Sequence, residues 1–291
     1  MTDLAVATLP EVAPPVVRVG RAASPPTFAA AIVTLVRRRA ALSLRTPREL
    51  FVPLLTPVLF AMVIAPALDS IGPKIPGVDY LSFAAVGTAV LLIPLNCMFA
   101  GIGVIVDRET GARRDLLAAP VPRSVIVLAN LVVAFAVTAL QVAVLIGAAV
   151  LRGADLGTSV GGVAWFVAAG ALLAIAMYGL AELVGNRMPS VEEYIGVVPA
   201  LAIVPFFFAG SLFPISSLPG WLAVIGKALP LTHALALFRY GLTEPGTKAL
   251  HDIWGSSSAP VMAALSAGVL VGYSILFLTV AVRVFSRAGT T

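Results

Sequence analysis

Six stretches of this chain contain no charged residue: Leu50–Leu68, Tyr80–Val106, Ser124–Leu151, Leu156–Ala181, Tyr194–Gly226 and Ile253–Val282. Few solvents tolerate such a pattern. A helix crosses the hydrocarbon of a bilayer in about 20 residues, and only helices or closed barrels satisfy their own backbone there. Composition agrees, since 11% of the 291 residues are charged and 59% are hydrophobic. A soluble domain carries about 25% charged residues, so this chain lacks the polar side chains to cover a surface facing water. The single cysteine, Cys97, excludes an intramolecular disulfide. The net charge of +5 fits basic loops beside a membrane rather than a nucleic-acid partner.

Five of the runs each fit one span. The fifth in order is 33 residues long and holds Pro199, Pro205, Pro214 and Pro219. One straight helix does not carry all of those prolines. The expectation is a span to about Leu212, followed by something shorter that dips back into the membrane. Start signals divide the chain in the same places. Thr46-Pro47-Arg48-Glu49 and Ser190-Val191-Glu192-Glu193 read as capping boxes, and Ser124 is placed to cap the third span. The expected spans are about 48–68, 81–105, 124–151, 158–183, 193–212 and 260–283.

Six spans put both termini on one side. That side then holds fourteen of the nineteen Lys and Arg residues, and the other holds Lys74, Arg152, Lys227, Arg239 and Lys248. The asymmetry predicts a multi-pass protein of the cell membrane with both termini in the cytoplasm. Residues 1–23, rich in Ala, Pro and Val, read as a disordered cytoplasmic tail without the features of a secretory signal. Within 24–46, Phe28, Ile32, Leu35, Val36 and Leu42 share one helical side. Arg37, Arg38, Arg45 and Arg48 share another, with Arg39 off the pattern. This predicts an amphipathic helix along the cytoplasmic membrane face, in contact with lipid.

One segment interrupts the apolar chain with dense charge. DRETGARRDLLAAPVPR, Asp107 to Arg123, has seven charged residues in seventeen. Glu109 and Arg113 stand four apart in the favourable order, Leu116 and Leu117 form an apolar tip, and Pro120 and Pro122 stop the helix. A short charged helix just outside the membrane is suited to dock into a soluble partner. Gly111 would allow close backbone approach.

Asp107-Arg108-Glu109-Thr110-Gly111, followed by Leu116-Leu117-Ala118-Ala119-Pro120-Val121-Pro122-Arg123, resembles the signature of the type-2 ABC exporter permeases. So do Phe213-Pro214-Ile215-Ser216-Ser217-Leu218-Pro219-Gly220-Trp221-Leu222 and Pro230-Leu231-Thr232-His233 with Arg239. Within that family the chain looks closest to the daunorubicin-resistance-like permeases of drug exporters. The resemblance implies an all-α integral membrane fold with six spans, an N-terminal interfacial helix, a coupling helix (107–119) and an outer re-entrant hairpin (213–242). It implies a separate ATP-binding cassette subunit that holds ATP and Mg, a second permease chain (identical or not), and no cofactor in this chain. The hairpin residues would be Pro214, Pro219, Trp221, Pro230, His233 and Arg239. The coupling residues would be Asp107, Arg108, Glu109, Gly111, Arg113, Leu116, Leu117, Pro120 and Arg123. Where the family more often has Thr-Leu-Glu, this chain has Ala112-Arg113-Arg114, which suggests a partner surface with extra carboxylates.

No ATPase or enzyme site is legible. Gly220 to Lys227 superficially resembles a phosphate loop, but it has five residues between its glycines and Ala228 in place of the required Ser or Thr. His233 and His251 lack zinc-site spacing, so no metal is expected. Asn96, Asn130, Gln141 and Glu182 are candidates to line a path, although interhelical hydrogen bonding is the commoner use of such amides. For Glu182, pairing with a basic residue is the simpler expectation. The substrate would be hydrophobic or amphipathic: a drug, a lipid or a lipid-linked glycan. The alternatives are an ion-gradient-driven secondary transporter, which predicts charge at mid-membrane, and an intramembrane enzyme.

Overall fold

A computed structural model describes residues 27–45, 55, 59, 62–63, 67, 79–157, 159–212, 214–243 and 247–287. Most of the first expected span, the Thr46 capping box and the N-terminal tail lie outside the described residues. Among the described residues there are ten α-helices and no strand. They are α1 (Phe28–Arg45), α2 (Tyr80–Glu109), α3 (Ala112–Ala118), α4 (Arg123–Leu151), α5 (Val160–Gly185), α6 (Val191–Phe208), α7 (Gly220–Ala228), α8 (Pro230–Leu242), α9 (Thr247–Trp254) and α10 (Ala259–Arg287). Five of them, α2, α4, α5, α6 and α10, are long and apolar enough to cross a membrane. The chain is a multi-pass membrane protein.

Local chemistry sets the helix ends. Asp79 caps α2 by accepting from the amides of Leu81 (3.3 Å) and Ser82 (3.1 Å). The same carboxylate accepts from the Asp155 amide at 3.0 Å, while Ser82 Oγ donates to the Asp155 carbonyl at 2.9 Å. Cap and clasp are therefore one structure, joining the start of α2 to the loop after α4. Burial would raise the Asp79 pKa, but the hydrogen bonds from Ser82, Asp155 and Leu81 together hold it below the ordinary value. With a depressed folded-state pKa, the clasp contributes stability at neutral pH and loses it as pH falls through that value. Ser159 caps α5 through Gly162 N at 3.0 Å. Ser190 caps α6 through Glu193 N at 3.3 Å, and Glu192 and Glu193 favour the positive end of the helix dipole. Ser124 is not a cap. The helix begins one residue earlier, at Arg123, with Pro122 in the capping position, because Pro122 supplies a fixed φ and needs no amide partner.

The long uncharged run divides at its prolines. Pro199 and Pro205 lie within α6. Pro214 precedes a 3₁₀ turn at Ile215–Ser217, Pro219 precedes α7, and Pro230 opens α8. α7 and α8 meet at an angle of 82°.

α5 lies at the centre, packed against α2, α8 and α10. Leu173, Tyr178 and Ala181 on α5 are fully buried, as are Leu235, Leu237 and Phe238 on α8. Phe166 and Phe238 tilt together with centroids 4.4 Å apart. Where α5 crosses α8, each helix presents a glycine. A Cβ at Gly162 would collide with the Gly241 carbonyl, and one at Gly241 would collide with the Gly162 carbonyl. The obstacle is backbone on both sides, so neither can yield by a rotamer change. Gly162→Val should therefore cost about 1–3 kcal/mol from overpacking. It should lower the melting temperature of the purified chain while leaving its level of membrane insertion intact; an unchanged melting temperature would show that the crossing is not tight.

Candidate functional site

One end of the bundle gathers the charged segment and its surroundings: the ends of α2, α5 and α10 and the starts of α4 and α6. α2 continues without a break through Asp107, Arg108 and Glu109. Gly111 then takes φ +78°, a left-handed conformation that disfavours a side chain. A seven-residue helix, α3, follows. This corrects the expected coupling helix at 107–119: its first residues belong to the preceding span. It also corrects the pairing of Glu109 with Arg113, because the left-handed residue between them removes the helical register on which an i,i+4 contact depends. A Cβ at Gly111 meets nothing within 4 Å, so within this chain its role is conformational rather than steric.

Glu109 is exposed, and Arg113 turns inward with 8% of its surface accessible. The Arg113 guanidinium sits 4.9 Å from the centre of the Phe285 ring near the end of α10. Its Nε and Nη2 are buried and donate to no partner among the described residues. Burial lowers its pKa from the ordinary value; Glu182 opposes this, Arg108 adds to it, and Asp107 opposes it. An arginine nevertheless stays cationic. Of the two extra arginines expected to meet a partner, only Arg114 is exposed. Leu116 and Leu117 are half-buried and pack against this chain's own core. Asp115, Ala118 and Pro120 are exposed.

The other arginines at this end act as clasps. Arg38 pairs with Asp107 at 3.3 Å. Arg108 donates through Nη2 to the Met188 and Pro189 carbonyls at 2.5 and 3.0 Å, joining α2 to the α5–α6 loop. Arg123 donates to the Ser286 carbonyl. On α1, Phe28 and Arg37 are exposed, Ile32 is half-buried, and Leu35 packs against the core. The off-pattern Arg39 reaches the Ala100 carbonyl at 3.5 Å. α1 thus lies against α4 and α2 as well as presenting an exposed face. Arg45 closes the helix. The first residues of the expected 24–46 helix lie outside the described residues, and Thr27 Oγ1 accepts from the Ala30 amide at 3.4 Å.

Glu182, 1% exposed, accepts from Tyr178 Oη at 2.5 Å and from Asn186 Nδ2 at 3.3 Å. The expected basic partner is therefore replaced by two neutral donors, one turn to either side on its own helix. Asn130 faces the same tyrosine hydroxyl. Asn96 Nδ2 donates to Gln141 Oε1 at 2.7 Å, linking α2 to α4; Gln141 is 1% exposed.

At the bend between α7 and α8, the last carbonyls of α7 lose their helical donors, because Pro230 has no N–H and the axis turns. Side chains replace them. Thr232 Oγ1 donates to Gly226 O at 2.6 Å, and Tyr273 Oη donates to Ala228 O at 2.8 Å. His233 Nε2 lies 3.0 Å from Lys227 O. A carbonyl only accepts, so the ring proton belongs on Nε2. Nδ1 can then accept from Ser266 Oγ, 3.3 Å away, which itself accepts from Trp254 Nε1 at 2.8 Å. Arg239 serves the end of α6 in the same way, donating to Gly210 O at 2.9 Å and Ser211 O at 3.1 Å while lying 3.8 Å from the centre of the Phe83 ring. Every residue from Pro230 to Arg239 is buried, whereas Trp221 on α7 is 67% exposed. A cavity of about 400 Å³ opens beside Arg239, with Asp79, Asp155 and Asp252 among its lining.

The family model described as ABC-2 type transporter matches residues 30–243. The chain belongs to that family. It is an ABC transporter permease, of a kind that works with an ATP-binding cassette partner. No curated protein matches the chain. The match begins within α1 and closes just after α8, so it contains the charged segment, the bent pair and Arg239.

Sequence reasoning missed several residues that organise this permease. Tyr178 and Asn186 stand four residues either side of Glu182, a spacing visible in the sequence. Phe285, Ser266 and Tyr273 act across long separations and leave no local signal. His233→Leu should destabilise the purified permease by about 1–3 kcal/mol, the cost of an orphaned buried carbonyl, and Thr232→Val by less, because the Leu229 amide still donates to Gly226 O at 3.1 Å. Thermal melts in detergent would check this, and wild-type melting of both variants would remove the capping role.

Proposed function

We propose that this chain is the membrane subunit of an ATP-driven exporter that moves a hydrophobic or amphipathic substrate out of the cytoplasm or inner leaflet. ATP hydrolysis resides in a separate cassette chain, and two permease chains pair to enclose the pathway. The observation that carries the reading is α3: a short helix set off from its span by a left-handed glycine, with Arg114 and Asp115 exposed at its surface. Its inner side is anchored by Arg113, Leu116 and Leu117, and its outer side offers charges of both signs to a docking groove. Closure of two ATPase subunits would push on α3, and the spans would rearrange to change access from one side to the other. The α7–α8 pair, bent by 82° with its carbonyls capped inside the protein, supports a re-entrant hairpin on the outer face. The asymmetry of Lys and Arg supports cytoplasmic termini.

Orientation is tested by cysteines placed singly in a Cys97→Ala background. Asp155→Cys should react with an impermeant thiol reagent on intact cells and Thr110→Cys should not; the reverse pattern would invert the topology. Docking is tested at α3's exposed charges rather than at Leu116 and Leu117, which also serve internal packing. Like-charge juxtaposition across an interface costs several kcal/mol. Arg114→Glu with Asp115→Lys should therefore reduce ATPase co-purification by about tenfold or more at matched membrane levels, and undiminished retention would remove α3 as the docking element.

A further inference from the structure

We infer that Arg113 is the positioning residue through which a displacement of α3 reaches the last span, α10. This rests on the exporter reading and specifies which helix receives the push. A helix joined to its predecessor by a left-handed glycine can rock without bending that predecessor, so α2 is a poor receiver of the motion. Arg113, by contrast, leaves α3 on the inner side and sets its flat cation over Phe285, 4.9 Å from the ring centre. Phe285 is 6% exposed and lies in the final turns of α10. The next residue along, Ser286, has its carbonyl held by Arg123 at the first position of α4. Only Ala119–Pro122 separates α3 from α4. One short segment therefore holds the end of α10 by two cations, one against a ring and one against a carbonyl.

Direction follows from the packing beyond this end. α10 lies along α5, the central helix, and the field of Arg113 also reaches Glu182 near the end of α5. The carboxylate has only neutral donors, and two guanidinium nitrogens of Arg113 have none to receive their protons among the described residues. A cation over a ring is held by direction and distance but not by a saturated set of hydrogen bonds. It can follow its ring or shift towards the carboxylate without breaking a bond. A leucine at this position would pack but would not hold Phe285 directionally or sense Glu182.

The test uses the full chain with the cassette chain that co-purifies with it, in lipid nanodiscs and a Cys97→Ala background. Spin labels at Ala118→Cys and Glu192→Cys report α3 against the start of α6. Labels at Arg283→Cys and Glu192→Cys report the end of α10 against the same reference. Trapping with ATP and vanadate should shift both distances when Arg113 is present. In Arg113→Leu the α3 shift should remain while the α10 shift falls by roughly half or more. Phe285→Ala should behave alike, and Arg113→Lys, which keeps the charge without the planar fork, should fall between. Nucleotide-free distances equal to those of the parent establish that the variants are folded. A full α10 shift in both Arg113→Leu and Phe285→Ala would overturn the relay. Absence of any α3 shift in the parent would instead overturn the coupling reading, and the relay with it.

Discussion

Hydrocarbon offers no hydrogen bonds, so every interruption of a helix inside the membrane must find donors within the protein. The bend at Leu229–Pro230 removes the helical donors of three consecutive carbonyls; Gly226 O keeps the Leu229 amide at 3.1 Å, and Thr232, His233 and Tyr273 each add one side-chain donor. Those donors come from α8 and α10, so the bend is tied to both helices. Arg239 extends the same dependence to the turn after α6, where it takes up the Gly210 and Ser211 carbonyls from the third turn of α8. α8 in turn reaches α5 only because Gly162 and Gly241 let two backbones meet. Burial of α8 is thus both a consequence of the glycine crossing and a condition for satisfying the broken helix.

The opposite end of the bundle is held on different terms. Arg38, Arg108 and Arg123 each engage a carboxylate or carbonyl on another element. Arginines next to helix C-termini favour the negative end of the dipole, and long side chains can keep such contacts while the helices beneath them shift. Packed cores have discrete arrangements and resist small sliding. Charge-to-backbone clasps gather at the basic end, where Gly101 and Gly185 also bring α2 and α5 close, while the bent half adds the Gly162–Gly241 crossing and the capped carbonyls.

Much of this was visible in the sequence. The uncharged runs locate α2, α4, α5, α6 and α10 because a charge in the hydrocarbon is costly wherever it falls. The prolines mark the 3₁₀ turn and the starts of α7 and α8, because each lacks a donor and fixes φ. Ser190 was legible as a cap from its spacing to Glu193. Arg113 was not. Its distance from Glu109 matches a helical pair, and nothing local distinguishes a glycine that continues a helix from one that turns left-handed. Arg39 looked out of place on an amphipathic α1 because its partner, the Ala100 carbonyl, lies on another helix. The roles of His233 and Ser266 depend on a contact between residues 33 apart in the chain, which no periodicity encodes.

The polar groups among the described spans also bear on how the permease is driven. An ion-gradient transporter needs ionisable groups near mid-membrane that can exchange protons or cations with both sides. Glu182 is buried near the end of α5 and accepts from the neutral Tyr178 and Asn186, and beyond Tyr178 stands the amide of Asn130 on α4. Asn96 and Gln141 form a separate amide pair between α2 and α4, and an amide neither gains nor loses a proton. The acids around the cavity beside Arg239 are displaced toward the other end, with Asp79 already occupied as a helix cap. Among the described residues the carboxylates therefore sit toward the two ends, with the Asn96–Gln141 amide pair and the buried Cys97 between them. Work can cross that middle by the movement of whole helices, and under the proposed function the short helix after Gly111 is the element that receives it.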